Sequence, residues 1–184
     1  MISLSQLWMP LLLSTVAVFL ASSVIHMASP WHKNDYPRLP NEDAVMDALR
    51  PIGLAPGDYM FPRPQSMADM KSPEFVERVT RGPKVIMTVM PNGMTPMGGM
   101  FVQWIVYILV VTAIAAHLAS RSVTASAPGA HVFHQVFLVA FAGYGLALFQ
   151  LSIWYARSWS ITIKSVIDGA IYAAITAAIF QWSW

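Results

Sequence analysis

The sequence contains no cysteine among its 184 residues. This absence excludes disulfide bonds, thiolate metal ligands and cysteine nucleophiles. Charge is also scarce, because Asp, Glu, Lys and Arg make up 11% of the chain, whereas a soluble domain carries about 25%. The chain also lacks a glycine-rich phosphate loop, a Gly-x-Ser-x-Gly elbow and a His-Glu-x-x-His helix. The sequence therefore gives no indication of a soluble-type enzyme, and we expect a non-catalytic protein.

The few charged residues are concentrated in one part of the chain. Eight of the eleven Lys and Arg residues and eight of the nine Asp and Glu residues lie between Trp31 and Lys84. That stretch is electrically neutral, so the net charge of +2 comes from the charged residues that follow it. Because these few residues do not make a basic surface, the sequence indicates no nucleic-acid partner.

Long apolar segments fill most of the remaining chain. Three of them carry no Asp, Glu, Lys or Arg, and the last contains one Lys and one Asp. At 1.5 Å per residue, about 20 helical residues cross a hydrocarbon layer of roughly 30 Å. The sequence therefore predicts an all-α membrane fold, a four-helix transmembrane bundle. The predicted spans are Leu7–Ala28, Met97–Ala119, Val132–Trp154 and Trp159–Trp182.

The first apolar segment differs from a secretory signal peptide. Residues 1–6 lack the Lys or Arg that usually precedes the apolar part of such a peptide. The apolar run also continues beyond Ser22 and Ser23, which makes it longer than a typical signal-peptide core. We therefore expect residues 1–28 to form an uncleaved first span.

Residues 29–96 form a polar excursion between the first and second spans. Asn41 and Ser72 are placed to cap short helices. The segments 58–62 and 85–90 follow these helices and have strand-like composition. The pattern predicts a small αβαβ unit in which the two strands pair. Because a two-stranded ribbon is only marginally stable in water, we expect the unit to be supported by the membrane or by a partner.

The distribution of basic residues predicts the orientation of the chain. Four crossings, with three of them in residues 97–184, place both termini on the side opposite to the excursion. Basic residues lie near both ends of the excursion, whereas Arg121 lies on the other side. The positive-inside rule then places the excursion in the cytoplasm and both termini outside.

Small residues recur every four positions along the last predicted span. In a bilayer, such residues let two helix backbones approach closely and so favour helix association. We therefore predict a helix-packing face that contacts the second and third spans, with a second protein chain as the alternative. This face consists of Ser165, Gly169, Ala173 and Ala177.

The last span also carries two charged residues, Lys164 and Asp168, which are four positions apart and so share one helix face. Counting from the preceding turn, Gln150 matches the depth of Lys164 and Tyr144 matches that of Asp168. The sequence thus predicts an intramembrane polar cluster of these four residues. One hypothesis is an ion pair within the span that fixes helix register. Others are a proton or ion path and a contact of Asp168 with a partner protein.

Two sets of side chains suggest metal or haem binding. His117, His131 and His134 gather near the face opposite to the excursion, where histidines on neighbouring helices can ligate haem iron or a metal. Five methionines between residues 87 and 100 offer thioethers to Cu(I). Histidines are, however, easily solvated at a membrane surface, and methionine often replaces leucine in mobile apolar segments. We therefore predict no cofactor, with haem and copper as alternatives.

Short stretches of the excursion resemble a recurrent family of bacterial membrane proteins with a similar length and four spans. They are Pro56–Pro62, Met70–Phe75, Gly82–Pro83 and Thr88–Gly93. The resemblance covers most of the chain and implies a location in the bacterial cytoplasmic (inner) membrane. The family has no assigned activity, so the resemblance implies no site residue.

Taken together, these features favour an accessory or scaffold subunit of a larger membrane complex. Such a protein contacts the lipid bilayer and binds other membrane-protein subunits, or a second copy of itself, through its span faces and the excursion. The main alternative is a small transporter or a proton or ion conduit that uses Lys164 and Asp168.

Overall fold

The computed structural model describes residues 6–184, and the chain is mostly helical. Four helices are long and apolar enough to cross a membrane, which confirms the predicted number of spans. Residues 1–5 of the predicted first segment lie outside the described residues. We refer to the four helices in order as spans 1 to 4: Trp8–Ala28, Met97–Ser122, Gly129–Tyr155 and Trp159–Ser183.

The described elements follow one another with short connections. The helices are α1 (Trp8–Ser23), α2 (Glu42–Leu49), α3 (Pro73–Arg81), α4 (Met97–Ser122), α5 (Gly129–Tyr144), α6 (Phe149–Tyr155) and α7 (Trp159–Ser183). The strands are β1 (Gly57–Phe61) and β2 (Val85–Val89). A π-helical turn, Val24–Ala28, extends α1 to complete span 1, and short 3-10 turns cover Arg50–Ile52, Asp69–Lys71 and Leu146–Leu148.

Contacts between residues divide the chain into two units. The first comprises the chain up to Pro37 together with Pro96–Trp184, and the second is Arg38–Thr95. The excursion was predicted to begin at residue 29, but the segment 29–37 belongs to the first unit. It does so because its side chains bond to α7, as described below.

The first unit is a bundle whose most extensive helix contact joins α5 to α7, while α1 packs on both α4 and α7. Near the chain termini its interior is mainly apolar, with Val132, Ala177 and Phe180 fully buried beside the hydroxyls of Ser120 and Thr176. The half nearer the excursion contains Val18 and Ile108 together with aromatic side chains.

Span 3 is not one continuous α-helix, because α5 ends at Tyr144 and a 3-10 turn separates it from α6. At this break α7 comes into backbone contact with span 3. A Cβ atom built on Gly169 lies 3.0 Å from the carbonyl carbon of Tyr144 and 3.1 Å from the Cα of Gly145. Only glycine at position 169 therefore allows the two backbones to approach this closely.

The second unit contains the predicted two-stranded ribbon. Strands β1 and β2 pair antiparallel from Gly57 opposite Val89 to Phe61 opposite Val85. Helix α3 begins as predicted, since the Ser72 hydroxyl accepts a hydrogen bond from the Phe75 N–H at 3.1 Å.

Helix α2 follows Asn41 as predicted, but the Asn41 side chain makes no capping hydrogen bond. The first turn of α2 instead carries Glu42 and Asp43, whose charges favour the positive end of the helix dipole. Glu42 also accepts a hydrogen bond from Arg38 at 2.9 Å.

We predict that Gly169→Ala destabilises the bundle by about 1–3 kcal/mol, because the new methyl group meets backbone atoms that cannot rotate away. The matched control is Gly98→Ala in α4, where a Cβ meets no atom within 4 Å. That change is expected to be neutral or stabilising by up to about 1 kcal/mol. Unfolding of the purified variants in detergent measures both effects, and equal stabilities of the two variants contradict the prediction.

Candidate functional site

The polar side chains of α7 lie against the segment that follows span 1. Asp168 is almost completely buried, with 3% of its surface exposed. Its Oδ1 atom accepts a hydrogen bond from the Trp31 indole Nε1 at 3.1 Å, and its Oδ2 atom lies 2.8 Å from the His32 Nε2. Both carboxylate oxygens therefore have partners from outside the helix, as a buried carboxylate requires.

Lys164, one turn away, bonds to the same segment. Its Nζ donates to the backbone carbonyl of Trp31 at 2.8 Å and to Oδ1 of Asp35 at 2.7 Å. The second carboxylate oxygen of Asp35 lies 2.6 Å from the His32 Nδ1. Hydrogen bonds from His32 and then Lys164 hold the pKa of Asp35 below its ordinary value. Asp35 is therefore ionised at neutral pH.

The hypothesis of an ion pair between Lys164 and Asp168 is not supported by this geometry. Within the described chain, Lys164 pairs with Asp35 and Asp168 pairs with His32. The four-residue spacing does place both side chains on one face of α7, but that face is covered by residues 29–37. Lys164 and Asp168 are therefore each paired with a residue of the covering segment, and they are not paired with each other.

The covering segment is shaped by the end of span 1. The π-helical turn closes with the Ser29 N–H donating to the carbonyl of Val24 at 3.0 Å, while the Ser29 hydroxyl donates to that of Ile25 at 2.6 Å. Within this turn lies His26, whose ring stacks on that of His32 with 4.4 Å between centroids. Such π-helical turns are rare and frequently occur at functional sites. Here the turn brings a second imidazole to the cluster.

The sequence-based description of the site missed its most important partners. His26, Trp31, His32 and Asp35 follow one another within ten positions at the end of span 1. The sequence does show two histidines and a carboxylate close together after a span. This pattern alone does not identify the site, because nothing near these residues indicates that they pair with a helix more than 120 positions later.

Gln150 does not belong to the polar cluster. The sequence placed it at the depth of Lys164 on the assumption that span 3 is a continuous helix. The 3-10 turn at Leu146–Leu148 changes the helical phase after Gly145, and Gln150 is exposed on α6.

Tyr144 is buried in an aromatic group deeper in the bundle, with Trp104, Tyr107 and Tyr172 around it. The buried hydroxyls of Ser14, Thr112, Tyr144 and Tyr172 have no hydrogen-bond partner among the described residues. These four residues come from four different spans. The bundle therefore keeps polar groups in its interior beyond Asp168.

The predicted helix-packing face of α7 is largely buried within the chain. Gly169, Ala173 and Ala177 are buried, whereas Ser165 is half-buried and donates to the carbonyl of Ile161. Gly169 of this face meets the backbone of span 3, and the helices with extensive contacts to α7 are α5 and α1. The predicted contact with span 3 is therefore confirmed, whereas span 1 takes the place predicted for span 2.

The metal candidates predicted from sequence are not brought together as a group. His117, His131 and His134 are each exposed. Among the described residues, the side chains close enough to share a metal ion are instead His26, His32 and Asp168, whose ligand atoms lie within 4.8 Å of one another.

A cavity of about 510 Å³ lies between the end of span 1 and the start of span 2. His26 contributes to its wall, and Trp104 closes one side by donating from Nε1 to the Ser22 hydroxyl at 2.9 Å. Met97 and Met100 also line it, while the other methionines between residues 87 and 94 belong to the second unit. The methionines proposed for copper are therefore divided between the two units.

No model of a protein family, no curated protein and no solved structure matches the chain. The four apolar helices show the class of protein, a multi-pass membrane protein.

We predict that Lys164→Met loosens the segment 29–37, because Asp35 loses its lysine partner. Amide hydrogen exchange in that segment is expected to become several-fold faster than in the unchanged protein. The matched control is Lys33→Met, since Lys33 is exposed in the same segment and has no ion pair in the described structure. Unchanged exchange in the Lys164 variant contradicts the assigned role.

Proposed function

We propose that this chain is a non-catalytic accessory or scaffold subunit of a membrane complex in the bacterial cytoplasmic membrane. Its second unit, Arg38–Thr95, binds another protein of that complex. One observation carries the proposal: among the described residues of this unit, only Phe75 is buried.

The apolar surface of the second unit supports a protein partner. Its helices and ribbon leave large apolar side chains in contact with solvent, among them Leu39, Ile52, Met67 and Met90. A short unit with a single buried side chain gains little stability from its own core, and a two-stranded ribbon adds little to it. Burial of this surface in an interface supplies the missing stabilisation.

The charge of the second unit favours a protein over an anionic lipid surface. Between residues 38 and 95 there are seven basic and seven acidic residues. Segments held on anionic membranes by charge carry an excess of Lys and Arg, each worth about 1 kcal/mol near the surface. A neutral unit lacks this attraction, so its apolar side chains are better matched to a protein surface.

The polar cluster has a structural role in this proposal. Its bonds from Lys164 and Asp168 fix the segment 29–37 on the bundle. These bonds therefore hold the chain on the bundle as far as Asp35.

A second candidate function is a proton or ion conduit that uses Lys164 and Asp168. The series of polar groups from Asp35 through His32 to Asp168, followed by the unpaired hydroxyls of Tyr144 and Tyr172, favours it. The buried groups near the chain termini weigh against it, because the polar ones described there are hydroxyls such as Ser120 and Thr176, with no buried charged group among them. We therefore prefer the accessory subunit.

The proposal predicts a protein partner that contacts the second unit. A photo-crosslinking amino acid at Ile52, which is 62% exposed, is expected to give one discrete protein adduct in native membranes. The control is the same amino acid at the exposed Leu13 of span 1, which reports adducts formed by the surface of the bundle and not by the second unit. A partner is also expected to co-purify in stoichiometric amount with the unchanged protein, and Ile52→Glu is expected to abolish this co-purification. The control is Gln65→Glu, which adds the same charge at a polar position of the unit and is expected to keep the partner. Purification of a homo-oligomer without a second protein contradicts the proposal.

The conduit is tested with the purified protein in proteoliposomes. We expect no proton flux above that of empty vesicles. A flux that Asp168→Asn abolishes, while the variant still inserts and folds, favours the conduit over the accessory subunit.

A further inference from the structure

Each ring nitrogen of His32 faces a carboxylate, and a neutral imidazole can donate a hydrogen bond to only one of the two. Both ring nitrogens face carboxylate oxygens, Nδ1 at 2.6 Å from Asp35 and Nε2 at 2.8 Å from Asp168. A neutral imidazole has one N–H, so it donates to one carboxylate and directs a lone pair at the other. A proton or a metal ion at this position removes the repulsion.

The geometry allows a metal ion to take that position. Zinc binds imidazole nitrogen and carboxylate oxygen at about 2.0–2.2 Å, which places two neighbouring ligand atoms roughly 3.0–3.5 Å apart. The 2.8 Å between His32 and Asp168 is close to this value, and the ligand atom of His26 lies within 4.8 Å of both. Because His26 is exposed, rotation of its side chain is not prevented by packing.

Further contacts resemble the supporting residues of a metal site. A metal-bound histidine commonly donates its second N–H to a carboxylate, which fixes the ring and increases its basicity. Asp35 occupies that position on His32, and Lys164 holds Asp35 in place. Trp31 donates to the Asp168 oxygen that does not face His32. Both ligand groups are therefore oriented by partners of their own.

We infer that His26, His32 and Asp168 bind one divalent first-row transition-metal ion such as Zn²⁺. Two imidazole nitrogens with one carboxylate suit these ions, whereas Mg²⁺ and Ca²⁺ prefer sites made of oxygen ligands. Three protein ligands leave a coordination position open. The inference goes beyond the proposed subunit role and does not depend on it, since the ligands all belong to the first unit.

The test uses the full chain, purified in mild detergent with an affinity tag that contains no histidine. Co²⁺ serves as a spectroscopic substitute for Zn²⁺, and Zn²⁺ content is measured after dialysis. One ion per chain is expected, together with visible Co²⁺ absorption bands that Zn²⁺ displaces. Failure to bind either ion at a stoichiometric level overturns the inference.

His26→Gln is the decisive variant, because His26 makes no hydrogen bond in the described cluster and its loss leaves the bonds to Asp168 and Asp35 intact. Metal affinity is expected to fall by more than about tenfold, while amide exchange in the segment 29–37 stays unchanged. The control is His117→Gln, which removes an exposed histidine elsewhere and is expected to keep full binding. Binding that survives His26→Gln, or that is lost with His117→Gln, contradicts the assigned ligands. These outcomes leave the test of the protein partner unaffected.

Discussion

The burial of Asp168 is the constraint on which the rest of this site depends. A carboxylate in the interior of a bundle within the membrane is stable only when both its oxygens are satisfied. The partners come from Trp31 and His32, which lie far away in the sequence. To reach α7, the chain after span 1 folds back, and its first residues lie against the bundle.

The same constraint separates the two halves of the bundle. Near the excursion, Asp168 and its partners are buried against the bundle, whereas near the termini the core consists mainly of apolar side chains. Polar groups at one end of a bundle suit the binding of a ligand there, whereas transport requires polar groups along the whole length of the bundle. The two proposals for this molecule, a docking subunit and a metal site, are compatible because they use different units of the chain.

The sequence was sufficient for the spans and the ribbon and insufficient for the site. Long apolar runs identify the spans because the bilayer imposes their length, and the strand-forming residues of Val85–Val89 identify β2. Lys164 and Asp168 were recognised because charge is rare in a span. Their partners were not, since contacts between distant residues leave no local pattern. The error at Gln150 has a different cause: span 3 is interrupted after Gly145, where the backbone of α7 approaches it at Gly169, and periodicity does not reveal such a break.

The π-helical turn at Val24–Ala28 has a consequence for the length of span 1. Its hydrogen bonds reach one residue further than those of an α-helix, so this turn accommodates one residue more. Removal of a single residue here restores α-helical geometry with little rotation of the rest of span 1, because four α-helical residues turn the chain about as far as five π-helical ones. The side chains inside the turn are the ones displaced, so a chain shortened by one residue at this point keeps the orientation of its span and presents a different side chain beside His32.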